Sequence, residues 1–144
     1  MLVSQILKSK SDQEVVTVPP SLSVSDAAAL LTRHRIGTVV VSSDGKTPDG
    51  ILSERDIVYQ LAAKGATCLT DKVSDYMTRK LVTCAKGDTA DAILQKMTHG
   101  RFRHMPVIED GALVGLISLG DVVKARLEEL AMEKDALEGM IMGH

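Results

Sequence analysis

The sequence predicts an α+β protein made of two β-α-β-β-α copies and a C-terminal helix. Three observations predict it. Thr17 to Val41 runs in parallel with Thr83 to Val107, 66 residues further on, with Leu31 over Met97 and Ile36 over Phe102. Both copies close on one pattern, Gly-apolar-apolar-Ser-x-x-Asp, read as Gly50 to Asp56 and Gly115 to Asp121. Between these landmarks, β-branched runs alternate with apolar residues at helical spacing. A unit of this length cannot bury its own apolar face, so the copies are expected to fold as one integrated body with function between them.

In the first copy, Glu14 to Val18 is a β-branched run ended by Pro19-Pro20, which reads as a strand. Ser23 offers an N-cap with Asp26 three residues on, and Val24, Ala27, Ala28, Leu30 and Leu31 predict an amphipathic helix to about His34. Gly37 breaks it, Thr38 to Val41 is strand-like, and a turn at Asp44-Gly45 leads to an apolar strand from Gly50 to Leu52. That strand runs into a helix over Arg55 to Ala63, which Gly65 stops. The second copy predicts a strand over Leu81 to Thr83 and a helix over Thr89 to Thr98. A strand His104 to Ile108, a turn Glu109 to Gly111 and a strand Leu113 to Ser118 follow. Val3 to Leu7 resembles Val73 to Met77 as a helical turn entering each copy, and a surface loop around Ser9 to Asp12 absorbs four extra residues in the first. These readings set boundaries of 1–66, 67–126 and 127–144 for the first copy, the second copy and the C-terminal extension.

The tail from about Asp121 is helical, with Leu127, Leu130, Leu137 and Ile141 in heptad-like spacing interrupted by Lys134. Such a stripe either packs on its own domain or forms a dimer contact.

At 144 residues, 44% hydrophobic and 25% charged, the chain has material for one compact module. A formal net charge of −2 speaks against a globally basic nucleic-acid surface, and 2% aromatics against base-stacking platforms. Cys68 and Cys84 fit no metal spacing or disulfide framework, so a reducing cytoplasm is expected. Met1 to Ser11 has no apolar stretch of signal-peptide length and no later run reaches membrane-spanning length, so no membrane association is expected.

A strand ending in Gly-x-x-Ser that turns into a helix headed by Asp brings together a hydroxyl, a carboxylate and free backbone N–H groups. A carboxylate accepts from both ribose hydroxyls, while a hydroxyl and a helix N-terminus satisfy phosphate oxygens. The plainer reading is a capping box, Ser53 with Asp56 and Ser118 with Asp121. Recurrence after the same strand in both copies favours a site. The sites are not equivalent, because Arg55 beside Asp56 corresponds to Gly120. Arg101, Arg103 and His104 stand where the first copy has Arg35, Gly37 and Thr38. The cluster is either a solvated charged face, or Arg103 and His104 point into the groove between copies and hold phosphate.

The two copies, the paired endings, the stretch Arg103-His104-Met105-Pro106-Val107 and the entering turn Asp75-Tyr76-Met77-Thr78 resemble a tandem pair of CBS domains, the family named after cystathionine β-synthase. The resemblance runs from about Val3 to Lys124. It implies pseudo-twofold packing, two clefts that take adenosine nucleotides such as AMP, ADP, ATP or NAD-type ligands, and frequent disc-like homodimers. Carried over, it implies that Ser118 and Asp121 hold ribose and phosphate in one cleft, with the Thr17 backbone at the adenine and Gly37 nearby. The other cleft would use Ser53 and Asp56, with Arg55 beside them and Thr83 at the adenine edge. Arg103 and His104 would occupy positions that in the family often contact phosphates, with Thr38 as the first-copy counterpart of His104. Val40 replaces the Pro found at Pro106, and the loop before Gly50 is one residue longer than that before Gly115.

The leading expectation is a regulatory module that senses an adenine nucleotide and signals by conformational change, requiring neither cofactor nor catalysis. An enzyme is the rival reading, yet His34, His99, His104 and His144 form no array with Cys68, Cys84 or a serine nucleophile, and no Walker-type loop is present. The third is a protein-interaction or scaffold module acting through the C-terminal helix.

Overall fold

The computed structural model describes residues 1–10 and 15–142. Ser11, Asp12 and Glu14, in the expected loop and strand, and His144 lie outside the described residues. Helices α1 (Val3–Ser9) and α2 (Val24–His34) flank strand β1 (Thr17–Val18), and strands β2 (Thr38–Val41) and β3 (Gly50–Ser53) lead into α3 (Glu54–Lys64). Short 3₁₀ turns follow at Gly65–Thr70 and Val73–Asp75. Then come α4 (Ala90–Gly100), β4 (His104–Glu109), β5 (Ala112–Ser118) and the 23-residue α5 (Leu119–Ile141). The first sheet runs β1-β2-β3 and the second β4-β5.

Both helices that follow the first strand positions begin as the sequence implies. The Ser23 hydroxyl accepts from the Asp26 amide at 3.1 Å and Thr89 from Ala92 at 3.2 Å, each satisfying one of the helix's free donors. Both end on an arginine in the left-handed region, Arg35 at φ 53° and Arg101 at φ 57°. The repeat is therefore preserved down to single backbone conformations.

The expected strand over Leu81–Thr83 is absent. The first copy pairs Thr17 with Val40 and Val18 with Val41, and the Val40 amide donates to Val16 O at 3.1 Å. The second keeps one bridge, Cys84 with Val107. Val40 corresponds to Pro106, which has no N–H to donate, so the ladder loses the bond that would extend it.

The β4-β5 hairpin turns at Asp110 (φ 52°) and Gly111 (φ 78°), both in the left-handed region that two-residue hairpins require. In the first copy Asp44 Oδ1 instead accepts from the amides of Lys46 at 2.8 Å and Thr47 at 2.7 Å, an Asp-built turn that houses the extra residue. These bonds hold the Asp44 carboxyl far below the usual carboxylate range.

Two apolar cores form, and the entering turns are exchanged between them. Val3 and Ile6 pack with Ile93, Met97, Met105 and Ile117 of the second copy. Val73 and Met77 pack with Leu31, Val39, Val41 and Leu52 of the first. The exchange is reciprocal in its hydrogen bonds. Val24 N donates to Asp71 O and Ala90 N to Met1 O, both at 2.9 Å, while Val73 N donates to Leu22 O at 2.8 Å and Val3 N to Asp88 O at 2.9 Å. Gly50 and Gly115 lie under these crossings, where a Cβ would stand 2.7 Å from Met77 Sδ and 2.7 Å from Leu7 Cδ2 respectively.

Along β2, Val39 and Val41 face the first core, so alternation turns Thr38 and Val40 to the other side of the sheet. On β4, Met105 and Val107 face the second core, leaving His104 and Pro106 on the opposite side. These outward faces meet. Thr38 Oγ1 and His104 Nδ1 are 2.9 Å apart, a hydrogen bond between residues at the same point of the two copies, which marks the approximate twofold axis.

Most of α5 extends past the second core. Val122 and Ala125 are buried, whereas Leu127 is 63% exposed, Leu130 48%, Leu137 59% and Ile141 83%. The apolar stripe does not pack on its own domain.

Candidate functional site

Two clefts open on either side of the Thr38–His104 pair, of about 330 Å³ and about 310 Å³. Gly37, Thr38 and His104 line both. Strand register places the rest, because Ser53 pairs with Thr38 and Ser118 with His104. The row Ser53, Thr38, His104, Ser118 thus crosses the axis, with a helix beginning at each end.

Each helix head is a capping box. Ser53 N donates to Asp56 Oδ2 at 2.8 Å and Asp56 N to Ser53 Oγ at 3.2 Å. Ser118 N donates to Asp121 Oδ2 at 2.9 Å and Asp121 N to Ser118 Oγ at 3.1 Å. The first amide of each helix is also taken, Glu54 N by Gly37 O at 2.9 Å and Leu119 N by Arg103 O at 2.7 Å. Among the described residues, the amides of Arg55 and Gly120 and the Oδ1 atoms of both aspartates remain without protein partners. The plainer capping reading is therefore correct and leaves acceptor and donor capacity open to the clefts.

The α5 cleft holds one further group. Lys10 reaches in to place Nζ 2.8 Å from Asp121 Oδ2 and 2.9 Å from Leu116 O. Burial raises the Asp121 carboxyl, but the bonds from Lys10 and Ser118 outweigh it and hold the group below the ordinary carboxylate value. His104 is lowered, chiefly by burial and then by the Lys10 and Arg103 cations, against the upward pull of Asp121 and Glu54. The imidazole is held neutral, and its tautomer decides whether Thr38 donates or accepts.

The profile of the CBS domain matches residues 3–63 and 73–128, nearly the whole chain. The chain belongs to the CBS-domain family. It is 34% identical over 148 residues to the CBS domain-containing protein CBSX3, mitochondrial, of Arabidopsis thaliana, a match covering 98% of this chain and 72% of that one. It spans only 22% of a larger Arabidopsis relative, CBSCBSPB3. The CBS-domain containing protein ATU1752 from Agrobacterium tumefaciens superposes with a TM-score of 0.83 at 47% identity, covering 88% of this chain and 99% of that one. The CBS domain protein PAE2072 from Pyrobaculum aerophilum, solved in complex with AMP, superposes with a TM-score of 0.78 at 26% identity, covering 92% and 99%.

Within this CBS pair, Ser118 and Asp121 sit in the α5 cleft, and Ser53, Arg55, Asp56 and Arg103 in the α3 cleft. Thr17 lines an adjoining cavity that shares Lys10, Val15 and Leu116 with the α5 cleft. Thr83 is exposed and lines neither cleft, beside the ladder that Pro106 shortens. The sequence reading missed Lys10 and Arg35 in the α5 cleft and Glu54 and Thr78 in the α3 cleft, and named Arg101 only as part of a basic cluster without placing it in a cleft. Arg35 and Arg101 carried a signal, since they occupy the same repeat position just past a helix. Lys10 carried none, because it lies in the stretch where the copies differ in length and so has no counterpart in the second copy.

Both cysteines are free and buried, and burial, with Asp88 nearby, pushes the Cys84 thiol up to about 11. His34 and His99 are exposed in the last turns of their helices. Among the described residues, no cluster suited to a metal ion occurs and no helix is long and apolar enough to cross a membrane.

Proposed function

We propose that this CBS pair is a non-catalytic regulatory module that binds an adenosine nucleotide between its copies and signals by shifting the arrangement of domains or protomers. The carrying observation is the twin helix heads, each with a carboxylate and a free amide facing a cleft beside the twofold axis. In support, a CBS neighbour of the same fold is complexed with AMP. Each aspartate would accept from the ribose diol, and the helix amide, serine and basic groups would meet phosphate. AMP, ADP, ATP and NAD-type ligands all present this chemistry. The ligand acts as a signal only by preferring one arrangement. The buried free thiols favour a reducing compartment such as the cytoplasm.

The assembly proposed is a homodimer through the helix faces, supported by exposed Val58 (62%) and Tyr59 (71%) on α3 and the apolar stripe of α5. The same stripe supports the alternative, a module that recruits a protein partner through α5 without a nucleotide.

A thermal-shift panel of AMP, ADP, ATP, NAD, NADH and S-adenosylmethionine on nucleotide-free protein decides between them. A ligand at about 100 times its Kd adds about 2.7 kcal/mol to stability. The sensing reading requires a selective shift that diminishes in Asp56→Asn or Asp121→Asn, changes that remove the charge but keep an oxygen for the cap. A flat panel sinks it and leaves partner capture by α5.

A further inference from the structure

The two clefts share one plan and the same formal balance of charge, and differ in how their cations are held. In the α3 cleft, Arg55, Arg101 and Arg103 line the walls together with Glu54 and Asp56, and none of the three has an ion-pair partner among the described residues. The corresponding positions by the α5 cleft are Gly120, Arg35 and Gly37. One guanidinium remains there. The other cation, Lys10, is committed to Asp121 at 2.8 Å and Leu116 O at 2.9 Å.

A guanidinium meets phosphate oxygens through two parallel N–H bonds, and unpaired guanidiniums need break no existing ion pair to do so. Three of them in a single cleft match the several charges of a diphosphate or triphosphate better than the single phosphate of a monophosphate. In the α5 cleft the carboxylate that would accept a ribose diol already holds an ammonium, so a nucleotide entering there must displace a charge-assisted bond.

We propose that the clefts divide the work: the α3 cleft takes a nucleoside di- or triphosphate, with Arg55, Arg101 and Arg103 holding its phosphates, while Lys10 closes the α5 cleft to the same ligand. This rests on the adenosine-nucleotide reading above. Lys10 is then a specificity-determining residue, and the pair is a one-site binder built on a two-site plan.

Isothermal titration calorimetry on the full chain tests this, with ATP and AMP as probes and with Arg55→Gln, Arg101→Gln, Arg103→Gln and Lys10→Met as variants. The wild type should bind one ATP per chain, about tenfold or more tighter than AMP. Each arginine variant should weaken ATP about fivefold to tenfold and AMP about twofold at most. Lys10→Met should raise the ATP stoichiometry towards two. Melting curves without ligand check that each variant folds, and Arg103→Lys, which keeps the charge but loses the fork, should recover only part of the ATP preference. If AMP binds but ATP binds no tighter, or ATP binding ignores the arginines, the division of work is overturned while the nucleotide reading stands. If no nucleotide binds, both fall.

Discussion

At the residue scale, His104 concentrates the electrostatics of both clefts, since Lys10, Asp121, Glu54 and Arg103 all act on it. Its folded-state pKa lies below the ordinary histidine value, so the unfolded chain binds the proton more readily. Its contribution to stability is complete above about pH 6.5 and is lost as pH falls from there through the lowered folded value. Denaturant midpoints measured across this window should fall with acidification in the wild type and stay flatter in His104→Gln. Asp121, also lowered, acts further down. Its stability is present above the ordinary carboxylate pKa and is lost as pH falls through the depressed one. Lys10→Met should therefore raise the Asp121 titration midpoint, as read by carboxyl NMR. An unmoved midpoint would mean that Lys10 does not hold the carboxylate in solution.

At the scale of elements, Gly50 and Gly115 occupy equal places in the pattern yet should respond differently to substitution. A Cβ at Gly50 meets Met77 Sδ at 2.7 Å and the backbone oxygen of Thr78 at 2.8 Å, while one at Gly115 meets only the Leu7 side chain. Backbone yields less readily than a leucine tip. Gly50→Ala should cost about 1–3 kcal/mol and Gly115→Ala about 1 kcal/mol or less in urea unfolding, and equal costs would show that the two crossings are equally tight. The glycines were visible as parts of a repeated pattern, but their reason was not, because residues 77 and 7 approach from entering turns distant in sequence. The helix announced by Ser23 was legible because caps are local. The missing strand at Leu81–Thr83 was legible in principle from Pro106, whose ring costs a ladder bond in a neighbouring strand. The closing motif identified Ser53, Asp56, Ser118 and Asp121 as the helix heads of the clefts, whereas Lys10 became visible only through folding.

At the scale of the whole molecule, the exchanged entering turns decide where damage appears. Ile6 belongs to the first copy by sequence and to the second core by packing, and Met77 the reverse. Ile6→Ala and Met77→Ala should each cost about 2–5 kcal/mol. Hydrogen exchange should show Ile6→Ala loosening β4-β5 more than β2-β3, and Met77→Ala the opposite. Equal loosening of both sheets by either change would show that the cores open only together.

The bond between Thr38 and His104 has a consequence for what such a molecule can become. Two identical single units assembled about a twofold axis would set the same residue against itself there, threonine on threonine or histidine on histidine, and would carry identical clefts. Joining both units in one polypeptide frees each position from its mirror image. A hydroxyl can then face an imidazole, and an arginine in one cleft can stand opposite a glycine in the other. Covalent fusion keeps the architecture of a dimer while letting its halves diverge in chemistry.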